Sequence, residues 1–143
     1  MKWSIVLTEP VNTNNRPRVS FSKRMAFKDA SYRKWLERTI LLISFKNAGR
    51  EPSRFHGELH CRMLFYIPTL RELGKDVDNM AKSCMDALQK AMVIHNDRLI
   101  TKLDCQKILT PAASGALIEI EEVGPWPPPE QTVQEIIGEQ NAS

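Results

Sequence analysis

The sequence predicts an α+β fold: a small mixed β-sheet with two main helices packed on one face. Three observations predict it. Short stretches rich in β-branched and aromatic residues alternate with period two. Two longer stretches repeat apolar residues every three or four positions. The order strand, strand, helix, strand, helix, strand, strand interleaves the two kinds, and 143 residues are enough for one core built this way.

Trp3 to Thr8 is rich in β-formers and reads as the first strand, ended by Pro10. Residues 11–17, Val-Asn-Thr-Asn-Asn-Arg-Pro, have the chemistry of a loop. Arg18 to Phe21 fits a short strand. A helix is expected from about Lys28 to Ala48. Tyr32, Trp35, Leu36, Thr39, Ile40 and Ile43 make one apolar stripe on it, and Gly49 suits a left-handed stop. Arg50 to Arg54 is a polar connection. From Glu58 to Tyr66, Leu59, Cys61, Met63 and Phe65 alternate with Glu58, His60, Arg62 and Tyr66, as in a half-buried strand. Pro68 ends it, and Thr69 to Lys75 reads as a loop.

A second helix is expected from about Val77 to Ala91, burying Met80, Ala81, Cys84, Ala87, Leu88 and Ala91. His95-Asn96-Asp97 is a turn, and Leu99 to Leu109 a strand. Pro111 to Gly115 resembles a hairpin loop, and Ala116 to Val123 forms the last strand. Residues 1–123 are therefore read as one domain and 124–143 as a tail. The run Gly124-Pro125-Trp126-Pro127-Pro128-Pro129 favours polyproline II, and Glu130 to Gly138 suits a short acidic helix.

Composition narrows the function classes. Hydrophobic residues are 42% and charged residues 26%, which excludes a wholly disordered or collagen-like chain. Cys61, Cys84 and Cys105 are odd in number and form no CxxC pair, so they read as free, mostly buried thiols in a reducing cytoplasm. No stretch has the pattern of a signal peptide or a membrane span. The formal net charge of +3 hides a split. Residues 1–75 carry 15 Lys/Arg against 6 Asp/Glu, whereas residues 76–143 carry 5 against 11. A polyanionic partner and a carboxylate site are expected together.

The carboxylates concentrate in Asp76-Val77-Asp78-Asn79-Met80-Ala81-Lys82. Asp76 and Asp78 stand two apart in what reads as an extended lead-in to the helix, where period two points them to the same side. Lys82 and Asp86 follow Asp78 at i+4 and i+8 on one polar stripe, and Asp97 sits on the following turn. Three converging carboxylates without Cys or His suit a hard cation, Mg²⁺ or Mn²⁺. Such a cation beside a lysine suits phosphodiester hydrolysis. On spacing alone, an N-cap and a solvent-facing ion-pair ladder fit the same residues.

The run Asp76-x-Asp78-Asn79-x-x-Lys82, then Asp86-Ala87-Leu88, then Asn96-Asp97 resembles the signature of RusA-type Holliday junction resolvases. Pro10 with Asn14-Asn15-Arg16, Tyr32-Arg33 and Pro68 are similar to the same family, in order and spacing, over roughly residues 3–122. The resemblance implies a Mg²⁺-dependent homodimeric endodeoxyribonuclease. Such enzymes nick four-way DNA junctions in recombination and repair, and are commonly encoded by phages or prophages. A cytoplasmic setting, in a bacterium or a phage-infected host cell, follows with it. By the resemblance, Asp76, Asp78 and Asp97 match the essential acids that hold the metal, and Lys82 matches the catalytic-site lysine. The chain departs from some members in having Asn96, not an acid, before Asp97.

Arg16, Arg18, Lys23, Arg24, Lys28, Arg33, Lys34 and Arg38 fall within 23 residues and suit phosphate contacts. Arg16, Arg18, Lys23, Arg24 and Arg33, with Asn14 and Asn15, are the expected DNA-binding residues. Phe21, Phe27 and Tyr32 lie among them and suit stacking at an opened junction. His56 and His60 lie in an alternating segment with Gly57 and give no zinc site. Ile40 to Phe45 is apolar on more faces than one sheet can cover, which points to a homodimer interface or to cover by the tail. A non-catalytic branched-DNA-binding module of the same fold is the rival reading.

Overall fold

The computed structural model describes residues 2–16, 29–47, 55–125 and 137–138, together with the backbone of 18–20 and 25–27. Its centre is a four-stranded sheet in the order β1-β6-β4-β5, with β1 at Lys2–Leu7, β4 at Glu58–Ile67, β5 at Ile100–Leu109 and β6 at Gly115–Gly124. β6 pairs antiparallel with both β1 and β4, whereas β4 and β5 are parallel. The sheet is therefore mixed, as the sequence predicts. A separate antiparallel ribbon joins β2 at Arg18–Ser20 to β3 at Met25–Phe27. The sequence pattern anticipates only the first of these two short strands.

The described residues add three helices to the sheet: α1 at Ala30–Lys46, α2 at Leu70–Leu73 and α3 at Val77–Lys90. Asp29 caps α1, its side chain accepting from the amides of Ser31 and Tyr32. Tyr32, Trp35, Leu36, Thr39 and Ile43 are buried, which is the expected stripe with Ile40 half-buried at its margin. α2 occupies the stretch expected to be a loop. It has four residues and is capped by the Thr69 hydroxyl, so it is too short to show a periodicity.

α1 packs beside β1, α3 packs over β5, and the two helices touch. Between helices and sheet lie Leu59, Cys61, Met63, Phe65 and Ile67 of β4, all buried. The opposite sheet face has no helix over it among the described residues. A left-handed Gly115 (φ 103°) opens β6, and a Cβ there would stand 1.8 Å from the Leu7 carbonyl oxygen, so only glycine fits. α3 stops at Met92, whose φ is 62°. The amides of Met92 and Val93 donate back to the carbonyls of Gln89 and Leu88, a two-bond helix stop that usually carries glycine.

The three cysteines are free, and Cys61 and Cys84 are buried. Among the described residues no helix is long and apolar enough to cross a membrane.

Candidate active site

Asp76 is the N-cap of α3, with extended backbone (φ −74°, ψ 136°). An aspartate at this position normally accepts from an amide of the first turn. The Asp76 carboxylate makes no such bond. It is exposed. Asp78 lies inside the first turn, since α3 begins at Val77. Helix geometry, not period two, therefore sets the relation between the two acids. The positive end of the helix dipole favours negative charge at both. Lys82 is exposed one turn further on and makes no ion pair among the described residues.

The turn that carries these acids is held from three sides. Lys107 of β5 donates through Nζ to the carbonyls of Leu73 (3.1 Å) and Lys75 (2.9 Å). Lys75 donates to the Val11 carbonyl (2.8 Å) and pairs with Glu72 (2.7 Å). Asn15 donates through Nδ2 to the Asn79 carbonyl (3.1 Å) and to Ser83 Oγ (3.0 Å). Pattern reading of the sequence passes over Lys75, Lys107 and Ser83. Ser83 had a signal, because it lies one position from Cys84 on the apolar side of α3. Lys107 had none, because a cation on an edge strand usually faces water.

Two expected neighbours of the site stand elsewhere. Asp86, at the end of the polar stripe, accepts a hydrogen bond from Tyr32 Oη at 2.7 Å, and this bond joins α1 to α3. Burial first, and this carboxylate second, raise the Tyr32 hydroxyl above its ordinary pKa. Asp97 opens a 3₁₀ turn at Asp97–Leu99, beyond the far end of α3. The fourteen residues of α3 measure about 21 Å at 1.5 Å per residue. One chain does not bring Asp97 to Asp76 and Asp78, and no group of three His, Cys, Asp or Glu among the described residues could hold a metal. Asn96 serves the local backbone. Its side-chain oxygen accepts from the Arg98 amide at 3.0 Å and caps the turn that presents Asp97.

Of the expected DNA-binding residues, Asn14, Arg16 and Arg33 are exposed. Asn15 is 1% exposed and faces α3. The side chain of Arg18, and Lys23 and Arg24 altogether, lie outside the described residues. A cavity of about 530 Å³ lies elsewhere, on the uncovered sheet face between His60, Arg62, Lys102, Asp104 and Glu119, and holds charges of both signs. The acidic motif stands on an open surface, which suits a substrate as wide as duplex DNA.

Residues 8–121 match the protein family described as Endodeoxyribonuclease RusA. The chain belongs to the RusA family. Over 63 residues it is also 35% identical to a protein named crossover junction endodeoxyribonuclease RusA from Aquifex aeolicus (strain VF5). That alignment covers 44% of this chain and 48% of the relative, so the chain spans about half the length of the curated relative it matches. The family match includes Asp76, Asp78, Lys82 and Asp97 and stops before the proline-rich tail.

The RusA-family acids fit a hard divalent cation in chemistry. Asp76 and Asp78 offer carboxylate oxygens that no cap or ion pair uses among the described residues. Mg²⁺ is commonly held by one or two carboxylates, with waters and substrate phosphates completing its shell.

Proposed function

We propose that this protein is a metal-dependent, structure-specific endodeoxyribonuclease that resolves four-way DNA junctions by paired nicks, in recombination and repair. The observation that carries the reading is the uncapped carboxylate of Asp76, beside Asp78, inside a match to the RusA family. Asp76 and Asp78 hold Mg²⁺ or Mn²⁺, and Asp97 is the third acid of the set. When bound, such an ion polarises a phosphate and makes water a better nucleophile. Lys82 offers its ammonium to the charge that develops on the phosphoryl oxygens. Arg16 and Arg33 hold the flanking backbone by charge, and Asn14, Arg18, Lys23 and Arg24 add further phosphate contacts.

The position of Asp97 supports a homodimer. β5 is an edge strand of ten residues, and its Leu103 and Leu109 stay exposed. Long edges of this kind are templates for pairing with another chain. α3 packs over β5. A second copy joined about a two-fold axis perpendicular to β5 sets two α3 helices side by side and antiparallel. Asp97 of the second copy then approaches Asp76 and Asp78, and each site is completed across the axis.

Incubation with a labelled four-way junction and with linear duplex, in Mg²⁺ or EDTA, tests the function. Paired nicks confined to the junction and dependent on Mg²⁺ are expected. Asp78→Asn is expected to bind the junction with cleavage reduced by roughly a thousandfold or more. Junction binding without cleavage in either metal would make the protein a binding module instead.

A further inference from the structure

We propose that Asn15 is a positioning residue that sets the register between the DNA-facing loop and the two charged side chains of α3, and does not itself touch DNA. This inference rests on the nuclease reading above. Asn15 is 1% exposed, yet Asn14 and Arg16 on either side are exposed. The loop thus turns one amide inward and presents its neighbours outward. The inward amide spends both protons on α3, at the Asn79 carbonyl (3.1 Å) and Ser83 Oγ (3.0 Å).

Those two partners immediately follow Asp78 and Lys82 in the chain. On a helix, residues four apart share a line, so Asn79 and Ser83 form the inward line beside the outward line of Asp78 and Lys82. Ser83 Oγ in turn donates to the Asn12 carbonyl at 2.6 Å, and Asn12 Nδ2 donates to Ser31 Oγ at 3.2 Å in the first turn of α1. One hydrogen-bonded chain therefore ties the loop of Arg16 and the helix start near Arg33 to the turns that carry Asp78 and Lys82. The geometry demands an amide. An aspartate has no proton for the Asn79 carbonyl, and alanine leaves Ser83 without its donor in a buried place.

Single-turnover cleavage and junction binding by Asn15→Ala, Ser83→Ala and Arg16→Ala separate the roles. Asn15→Ala is expected to slow cleavage at saturating enzyme by roughly tenfold to hundredfold. Its junction Kd should stay within about threefold of wild type, with an unchanged salt dependence. Arg16→Ala should weaken binding and lower the slope of log Kd against log salt by about one. Ser83→Ala should slow cleavage in the same sense, and the double variant should lose less than the two singles multiplied together.

A reduced salt slope in Asn15→Ala would make it a DNA contact and overturn the proposal. So would a wild-type cleavage rate in a variant that merely melts lower. Should Asn15→Ala fail to fold, Ser83→Ala carries the same comparison alone. If wild type nicks no junction, the nuclease reading and this one fall together. Wild-type nicking with undiminished rates in Asn15→Ala and Ser83→Ala sinks only this one.

Discussion

Met92 stands in a left-handed conformation that L side chains adopt at a cost of roughly 1–2 kcal/mol. The residue is 41% exposed. Met92→Gly is expected to stabilise the fold by about 1 kcal/mol, seen as a rise of roughly 3 °C in Tm by circular dichroism. Four other residues set the alkaline limit. Burial pushes the Cys61 thiol up to about 12, and the thiols of Cys84 and Cys105 and the Tyr32 hydroxyl also titrate above their ordinary values. Above about pH 9 the unfolded chain releases protons that the native chain keeps. Their stabilising contribution is full below that pH and is lost as pH rises, so the urea midpoint should fall above pH 9. Tyr32→Phe should flatten the part of this fall near pH 10, its ordinary value. Which residues are buried was legible where a period exists: Tyr32, Trp35, Thr39 and Ile43 stand at helical spacing and are buried. Asn15 was not legible. Nothing in a loop sequence says which of two adjacent asparagines turns inward.

Among the elements, the turn between α2 and α3 depends on a strand far away in sequence. Lys107 supplies charged hydrogen bonds to the last carbonyl of α2, at Leu73, and to the Lys75 carbonyl in the turn beyond it. Lys107→Met is expected to cost about 2 kcal/mol, measured by urea unfolding, because both carbonyls lose a charged donor. The same variant should raise hydrogen exchange at residues 73–76 more than in α1. α2 itself carried a readable sign, Thr69 followed three residues later by Glu72, whose amide donates to the Thr69 hydroxyl at 3.3 Å. The second short strand, β3, left no such sign. Three residues show no alternation, and only pairing with β2 defines it.

For the whole molecule, the separation of Asp97 from Asp76 and Asp78 makes a two-chain experiment decisive. If the acids meet across a dimer, mixing Asp78→Asn with Asp97→Asn should restore nicking, because each heterodimer regains one intact site. If the acids act within one chain, the mixture stays as inactive as its parts. Restored activity should give single nicks, read on a denaturing gel beside the paired nicks of wild type. The sequence named all three acids through the resemblance and placed a helix between them, but it read them as converging, whereas within one chain the fourteen residues of α3 stand between them. The strand order has a consequence for how the chain is made. β1 is synthesised first, yet its partner is β6, which comes last, with Lys2 opposite Glu121. β1 therefore waits, unpaired, until β6 is made. Closing a loop of that length is slow and all-or-none. A nascent chain halted before Gly115 can pair β4 with β5 but leaves β1 without its partner strand.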